Sequence, residues 1–226
     1  MKSKIKVLAI VVSYRGGAKL QWCLASLKKA SLKAIVIDNN QHNRGFAKAA
    51  NLGIRRALRQ PASRILLVNQ DAVVPPNFLK LMAQNQADIV APVIKFKRHG
   101  RWVKDFGGLV DFNWGTTSHM ENKPTQAPDY VSGCAMLIKS RVFPKIGLFD
   151  EQFFLYFEDV DFCLRAKRAG LKVAVEPQVT VVHHLEEGRQ KGWWKRYHHF
   201  RSHWLFVNKY LRWWQRPLAW AKIILC

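Results

Sequence analysis

The chain has 226 residues, a length that suits one globular domain with an appendage rather than two full domains. Apolar residues make up 49% and charged residues 23%, which excludes a disordered chain, a collagen and a disulfide scaffold and provides for a sizeable core. Thirty-seven Lys and Arg against fifteen Asp and Glu leave a net charge of +22, which predicts attraction to polyanions: nucleic acid, an anionic membrane or phosphorylated small molecules.

The apolar, β-branched run 7–12 predicts a buried parallel strand, and Leu20, Leu24 and Leu27 recur at helical spacing within 18–30. Six apolar residues are too few for a signal peptide or a membrane span. A second strand is expected over 33–37. A helix follows over 44–59, with Phe46, Ala50, Ile54 and Leu58 on one face. Then come a strand over 65–68, a helix over 76–83 and a strand over 89–93. This alternation predicts an α/β fold built on an open, mostly parallel sheet flanked by helices. Residues 97–101 around Gly100 predict a hairpin, and the stretch 106–126, rich in Gly, Asn, Thr and Pro, an insert or flap. Regular structure resumes with a strand over 131–138, a helix over 159–169 ended by Gly170, and strands near Val173 and over 179–182. The last 39 residues hold nine Lys and Arg, no Asp or Glu and six of the nine Trp. We therefore divide the chain into a domain over 1–187 and a basic, aromatic helical tail over 188–226. The cysteines Cys23, Cys134, Cys163 and Cys226 form no CxxC pair, which argues against a zinc site and for a reducing, cytoplasmic compartment.

Acidic residues are scarce enough for their positions to inform. The first 87 residues hold only Asp38 and Asp71, each at or just after an apolar strand, where open α/β sheets bind ligands. Such carboxylates can hold a sugar, a base or a metal, or simply close turns. Between them, Asn39, Asn40, Gln41, His42, Asn43, Arg44, Gly45 and Phe46 form a polar turn running into a helix, a setting suited to a phosphate-bearing ligand. One third of all acids, Asp150, Glu151, Glu158, Asp159 and Asp161, fall within twelve residues around the aromatic run 153–157. Burial among like charges would raise a carboxylate's pKa and make a general base; capping of the following helix is the alternative. His183 and His184 end a strand and face opposite sides of it. One of them with Asp71 would make a mixed oxygen and nitrogen site for Mn²⁺ or Mg²⁺; a structural histidine is the alternative.

The strings VVSYRGG, VIDNN, NRGFAKAANLGI, LLVNQDAVVPPNFL, VSGCAMLIKSRVF, IGLFDEQFFLYFEDVDFCLRAKRAG and VVHH occur in the order seen in family-2 glycosyltransferases, and the chain resembles their bacterial rhamnosyltransferase-like branch. The resemblance covers roughly residues 5–185. It implies a GT-A fold, a nucleotide-diphosphate sugar donor, a divalent metal (Mn or Mg), inversion at the anomeric carbon and a glycan or lipid-linked acceptor. It also implies the roles of particular residues. Asp38 contacts the nucleoside, and Ser13, Tyr14, Asn40, Arg44, Gly45, Phe46, Asn51, Asn69 and Gln70 line the nucleotide-sugar site with it. Asp71 is the metal-binding Asp and His183 completes the metal site. Asp159 is the base with Glu158 beside it, and Gly133 and Phe157 meet the acceptor. The chain departs from the family in running the DNN and NRGFA strings together. It also has Gln70 where Pro is common and Asn69 in place of a first Asp.

Two other readings compete with a transferase. The charge and the Trp residues of the tail, among them Trp193, Trp194, Trp204, Trp213 and Trp214, suit stacking on single-stranded nucleic acid. No nucleic-acid-binding motif accompanies them, and the basic excess spans the chain. The same residues suit the headgroup region of an anionic membrane at the inner face of the plasma membrane, or a terminal helix whose Trp residues pack on the domain.

Overall fold

The computed structural model describes residues 6–185 and 192–225; residues 186–191 and Cys226, which include the start of the expected tail, lie outside the described residues. In chain order the elements are β1 (Val7–Ser13), α1 (Gly17–Lys29), β2 (Lys33–Asp38), α2 (Phe46–Leu58), β3 (Arg64–Asn69), β4 (Ala72–Val73), α3 (Phe78–Met82) and β5 (Ile89–Arg98). There follow β6 (Arg101–Asp111), β7 (Thr116–Glu121), β8 (Ala135–Lys139), α4 (Val142–Ile146), α5 (Glu158–Arg168), β9 (Val173–His183), α6 (Trp193–Tyr210) and α7 (Arg216–Leu225).

The strands form one sheet in the order β2-β1-β3-β8-β5-β6-β7, with β9 pairing β5 and β4. β1 is parallel to β2 and β3, and β9 to β5, while β8 runs antiparallel between β3 and β5. Followed through these pairings, six of the nine described strands point one way and β4, β6 and β8 the other. The sheet is therefore mixed with one prevailing direction, as the strand and helix alternation of the first half predicts.

Strand periodicity divides the interior into two cores. Leu8, Ile10, Val12, Ile65 and Leu67 face α2 and α5, where Ala50, Ile54 and Phe162 meet them. Ala9, Val11, Leu66 and Val68 face α1 and α3 through Leu27, Phe78 and Met82. Strands buried on both faces read as continuous apolar runs, which is why β1 and β3 are legible without alternation.

The later half differs from expectation in two places. The hairpin expected over 97–101 forms, β5 turning into β6 through His99 and Gly100 with φ of 50° and 74°, whereas the stretch 106–126 expected as an insert or flap is largely strand, the end of β6 pairing antiparallel with β7. Positive φ at both turn residues matches the right-handed twist of the flanking strands. The two short strands near Val173 and 179–182 are one strand, β9. Its register against β5 jumps from Pro92↔Glu176 to Val93↔Thr180. Pro177, which has no N–H to give a ladder, lies in the resulting bulge.

The change of composition at residue 188 is not a gap in packing. Phe206 of α6 is fully buried in the same core as Phe153, Phe157 and Phe162. Ser202 Oγ donates to the Leu155 carbonyl (2.8 Å) and Arg201 to that of Gln152 (2.9 Å). Lys209 reaches Asp150 and Asp161, and the Tyr210 hydroxyl donates to Asp161 (2.7 Å). Helix α6 thus braces the acidic, aromatic loop 150–157 from outside.

Candidate active site

The parallel strands β1, β2 and β3 end side by side: Ser13 is in register with Asp38, and Val12 with Asn69. This brings Ser13, Tyr14, Asp38, Asn69, Gln70 and Asp71 to one edge, beyond the carboxyl ends of the strands. Several of these groups are held by the protein itself. Asp38 Oδ1 accepts hydrogen bonds from the Asn40 backbone N–H (2.8 Å) and side-chain amide (2.6 Å), and Asn40 Oδ1 accepts from the Arg15 N–H (2.6 Å). The Gln70 amide bridges Tyr14, accepting from its N–H (2.9 Å) and donating to its carbonyl (2.6 Å). Its role at the end of β1 is therefore that of a backbone tie.

The turn into α2 is closed in the same way. The Arg44 N–H donates to Asn39 Oδ1, the Gly45 N–H to Asn43 Oδ1 and the Phe46 N–H to the Phe154 carbonyl at 2.7 Å. Gly45 has φ 81°, and a Cβ there would lie 2.5 Å from the Phe154 carbonyl oxygen; the absent side chain lets loop 153–157 dock on the helix. Asn51, buried, donates to the Phe149 carbonyl and to Glu151 and accepts from the Phe149 N–H. These residues, read from sequence as donor contacts, join the carboxyl-end edge of the sheet to the acidic loop.

Asp71 sits between β3 and β4, and Ala72 pairs with His183 across β4 and β9. Asp71 Oδ1 and His183 Nε2 are 3.0 Å apart, with the side chains 24% and 13% exposed, so the pair opens to solvent on one side. Burial favours a protonated Asp71 but is outweighed by the hydrogen bond and charge of His183 and by Lys19, and the carboxyl lies below its ordinary range. Burial likewise opposes charge on His183, yet Cys134 and Asp71 hold its pKa up, to about 10. His184 points the other way, edge-on to Trp22 at 5.7 Å, as strand alternation requires.

A hard divalent ion suits this oxygen and nitrogen pair. Two ligands at right angles on an octahedral Mg²⁺ or Mn²⁺ are separated by about 3 Å, the spacing observed. Among the described residues no group of three His, Cys, Asp or Glu side chains could hold a metal, so Asp71 and His183 would leave the other positions to substrate oxygens and water. His183 must lose its proton first.

The second cluster lies at the start of α5. Of its five acids, three are matched by cations: Asp150 by Lys209, Glu151 by Arg55, and Asp161 by Arg165 and Lys209. Among the described residues, no cation is matched to Glu158 or Asp159. Glu158 is buried and, among the described residues, its Oε2 has no hydrogen-bond partner; burial and the neighbouring Asp159 push its carboxyl well above the usual range, which favours its protonated form. Burial also raises Asp159, but N–H groups of Gly133 (2.9 Å) and Val160 (2.9 Å) and the charge of His119 favour its ionised form. Within the pair Asp159 is the anion. Tyr156 and Phe157, immediately before it, both have left-handed φ, 69° and 67°, a conformation costly for aromatic residues and concentrated at functional sites. No side chain of the preceding residue caps α5.

Sequence reasoning missed His119. It lies on β7, its Nδ1 3.0 Å from Asp105 on β6, beside Tyr130, and the Asp105 hydrogen bond raises its pKa against burial. Only the hairpin pairing brings these residues together, and no local spacing signals it. Lys19 on α1, whose ammonium donates to the His184 carbonyl (2.7 Å) and whose charge acts on Asp71, was equally silent. His119→Asn should move the acid limb of the pH–rate profile upward: without the imidazolium, Asp159 holds its proton to higher pH, and a base works only when deprotonated. An unmoved limb would disconnect His119 from Asp159.

A model of the family described as glycosyltransferase like family 2 matches residues 6–215. The chain belongs to this family. Among curated proteins, it is 26% identical over 207 residues to the dTDP-rhamnosyl transferase RfbF of Shigella flexneri, covering 78% of this chain and 68% of that one. It is 32% identical over 112 residues to the N-acetylglucosaminyl-diphospho-decaprenol L-rhamnosyltransferase of Mycobacterium tuberculosis (strain ATCC 25618 / H37Rv), covering 48% of this chain and 36% of the relative. This family member thus spans about a third of the second protein. Among solved structures, GalNAc-T7 with UDP, GalNAc and Mn²⁺ matches with TM-score 0.63 and 13% identity over 83% of this chain and 45% of that one. S. aureus TarS 1-349 in complex with UDP-GlcNAc matches with TM-score 0.56 and 14% identity over 97% and 71%. At these identities the likeness concerns the fold, which is GT-A.

Proposed function

We propose that the chain is an inverting glycosyltransferase that moves a sugar, rhamnose in the first instance, from a nucleotide-diphosphate donor to a glycan or lipid-linked acceptor in surface polysaccharide synthesis. The observation that carries this reading is the division of the acidic cluster, in which Asp159, among the described residues, lacks a cation partner and is held by two backbone N–H groups that favour its ionised form. In that role Asp159 takes the proton of the acceptor hydroxyl as the oxygen attacks the anomeric carbon, and the bond to the diphosphate breaks on the opposite face. Gly133 orients the carboxylate, and Glu158, whose buried carboxyl is pushed toward its protonated form, limits a second negative charge beside it. Asp71 and His183 are the residues that would hold a Mn²⁺ or Mg²⁺ ion, which would supply positive charge to the departing diphosphate. Ser13, Asp38 and their neighbours at the strand ends receive the nucleotide. Titrating dTDP- and UDP-sugars with and without Mn²⁺, and reading melting temperature and sugar release, tests the proposal through ligand linkage. A chain that no nucleotide-sugar stabilises or reacts with is not this enzyme.

A second contact, with the membrane that would carry a lipid-linked acceptor, is favoured by Trp193, Trp213 and Leu218, exposed at 78%, 74% and 62%, among the basic residues of α6 and α7. Among the described residues no helix is long and apolar enough to cross a membrane. Substituting Trp213 and Trp214 by Ala should weaken binding to anionic vesicles and leave nucleotide-sugar affinity unchanged. Undiminished vesicle binding would remove these residues from any membrane contact.

A further inference from the structure

The tail does more than brace the acidic loop. Between α6, α7, the start of β7 and residues 156–157 lies a cavity of about 950 Å³, at the upper end of the range that encloses small-molecule ligands. One wall is Tyr156 and Phe157, the two strained residues that lead into Glu158 and Asp159. Another is Thr117 on β7, two residues from His119 and so on the same face of the strand; His119 is the residue whose charge reaches Asp159. None of the donor-side residues Ser13, Asp38, Asp71 and His183 lines the cavity. It therefore adjoins the base and stands apart from the donor edge.

Its chemistry is cationic and apolar together. Lys195 and Arg196 on α6 and Lys222 on α7 line it. Among the described residues no carboxylate pairs with any of the three; Lys222 rests over the Trp114 ring at 5.2 Å. The two imidazoles in the wall add no charge to these: burial lowers the pKa of both His199 and His203. His203 is fixed, stacked on Phe157 at 5.0 Å and donating from Nε2 to the Gly115 carbonyl (2.7 Å). Phe200 and Ile223 add apolar wall, and Phe200 is 40% exposed, so the cavity is continuous with the exposed aromatic surface of the tail.

Resting on the transfer reading above, we propose that this cavity seats the diphosphate of a lipid-linked acceptor. Lys195, Arg196 and Lys222 clasp the phosphates, the lipid chain leaves over Phe200 and Ile223, and the sugar hydroxyl is presented past Phe157 to Asp159. Three unpaired cations from two helices match the charge of a diphosphate, and an apolar exit matches a chain that a free phosphate lacks.

Farnesyl diphosphate, inorganic pyrophosphate and farnesol, titrated calorimetrically into the whole chain, test this. Farnesyl diphosphate is expected to bind at least about tenfold more tightly than pyrophosphate, since several methylenes leave water, and farnesol is expected not to bind measurably. The double variant Lys195→Ala, Arg196→Ala and, independently, Lys222→Glu on the other helix should each weaken farnesyl diphosphate by about tenfold or more. Both should keep wild-type melting temperature and wild-type affinity for nucleotide-sugar with Mn²⁺. Undiminished farnesyl diphosphate binding in both variants, or pyrophosphate or farnesol binding as well as farnesyl diphosphate, overturns the proposal. Failure of the wild type to bind any nucleotide-sugar would instead sink the transfer reading, and the farnesyl diphosphate titrations would still judge the cavity.

Discussion

Asp159→Asn is expected to cut turnover by about 10² to 10⁴, the range for loss of a general base, with donor affinity nearly unchanged. Asn keeps the size and shape of the side chain and can still accept one of the two hydrogen bonds that Asp159 takes, from the Gly133 N–H at Oδ2 or the Val160 N–H at Oδ1, while losing the ability to take a proton. Donor affinity persists because the nucleotide edge lies at the ends of β1, β2 and β3, on elements that Asp159 does not belong to. Glu158→Gln is the comparison. Burial favours the protonated form of Glu158, and an amide in place of a carboxylic acid changes the charge there little, so its turnover should stay within a few-fold of wild type. A large loss in Glu158→Gln with little in Asp159→Asn would reverse the two roles. No loss in either, with a confirmed donor and acceptor, would make the acidic cluster a helix cap. The pH profile adds a sign: burial raises Asp159, so wild-type turnover should rise with pH through that elevated pKa. Asp159→Asn should flatten the rise.

The legibility of this site in the sequence followed the range of the interactions involved. Asp38 and Asp71 stood out because they were the only acids among the first 87 residues and because buried strands announce where they end. The ED pair stood out by composition. Sorting its five acids was beyond the sequence, since Asp161 is matched by Tyr210 and Lys209 some fifty residues later and Asp150 by the same lysine. The family resemblance implied ligand contacts for Gln70 and Asn51; their hydrogen bonds within the chain, to Tyr14 and Phe149, join positions far apart that no motif spacing pairs. His119 depended on a hairpin whose strands had no clean alternation to declare them. The tail's composition suggested a separate block, yet the burial of Phe206 among Phe153, Phe157 and Phe162 shows that aromatic content alone does not separate a packed helix from a surface one. In α6 it is both: Phe206 turns inward while Trp193 and Tyr197 face solvent.

Asp71→Ala should abolish the Mn²⁺-dependent part of donor binding, a loss of about 100-fold or more, since even outer-shell partners of a metal ligand are worth about 10- to 100-fold. The fold should survive. The pairing of β4 with β9 and the hydrogen bond from the His184 N–H to the Asp71 carbonyl are backbone interactions, untouched by the side chain. His183 supplies a second and more particular readout. In the metal-free protein its pKa of about 10, held up in part by the Asp71 carboxylate, leaves it protonated at neutral pH. A metal that binds its Nε2 must displace that proton, so wild-type Mn²⁺ affinity should increase as pH rises toward 10, and binding should release a proton detectable by calorimetry in buffers of different ionisation enthalpy. Removing the carboxylate takes away one of the two groups stabilising the imidazolium while the burial cost remains. The His183 pKa should therefore fall in Asp71→Ala, and proton release on any residual metal binding should shrink. Asp71→Asn separates charge from shape: it keeps an oxygen that can accept from His183 but lowers the charge at the site, and should behave like Asp71→Ala toward Mn²⁺. Wild-type donor affinity with Mn²⁺ in both variants would remove Asp71 from the metal site. Proton release unchanged from wild type would show that His183 is not the group the metal displaces.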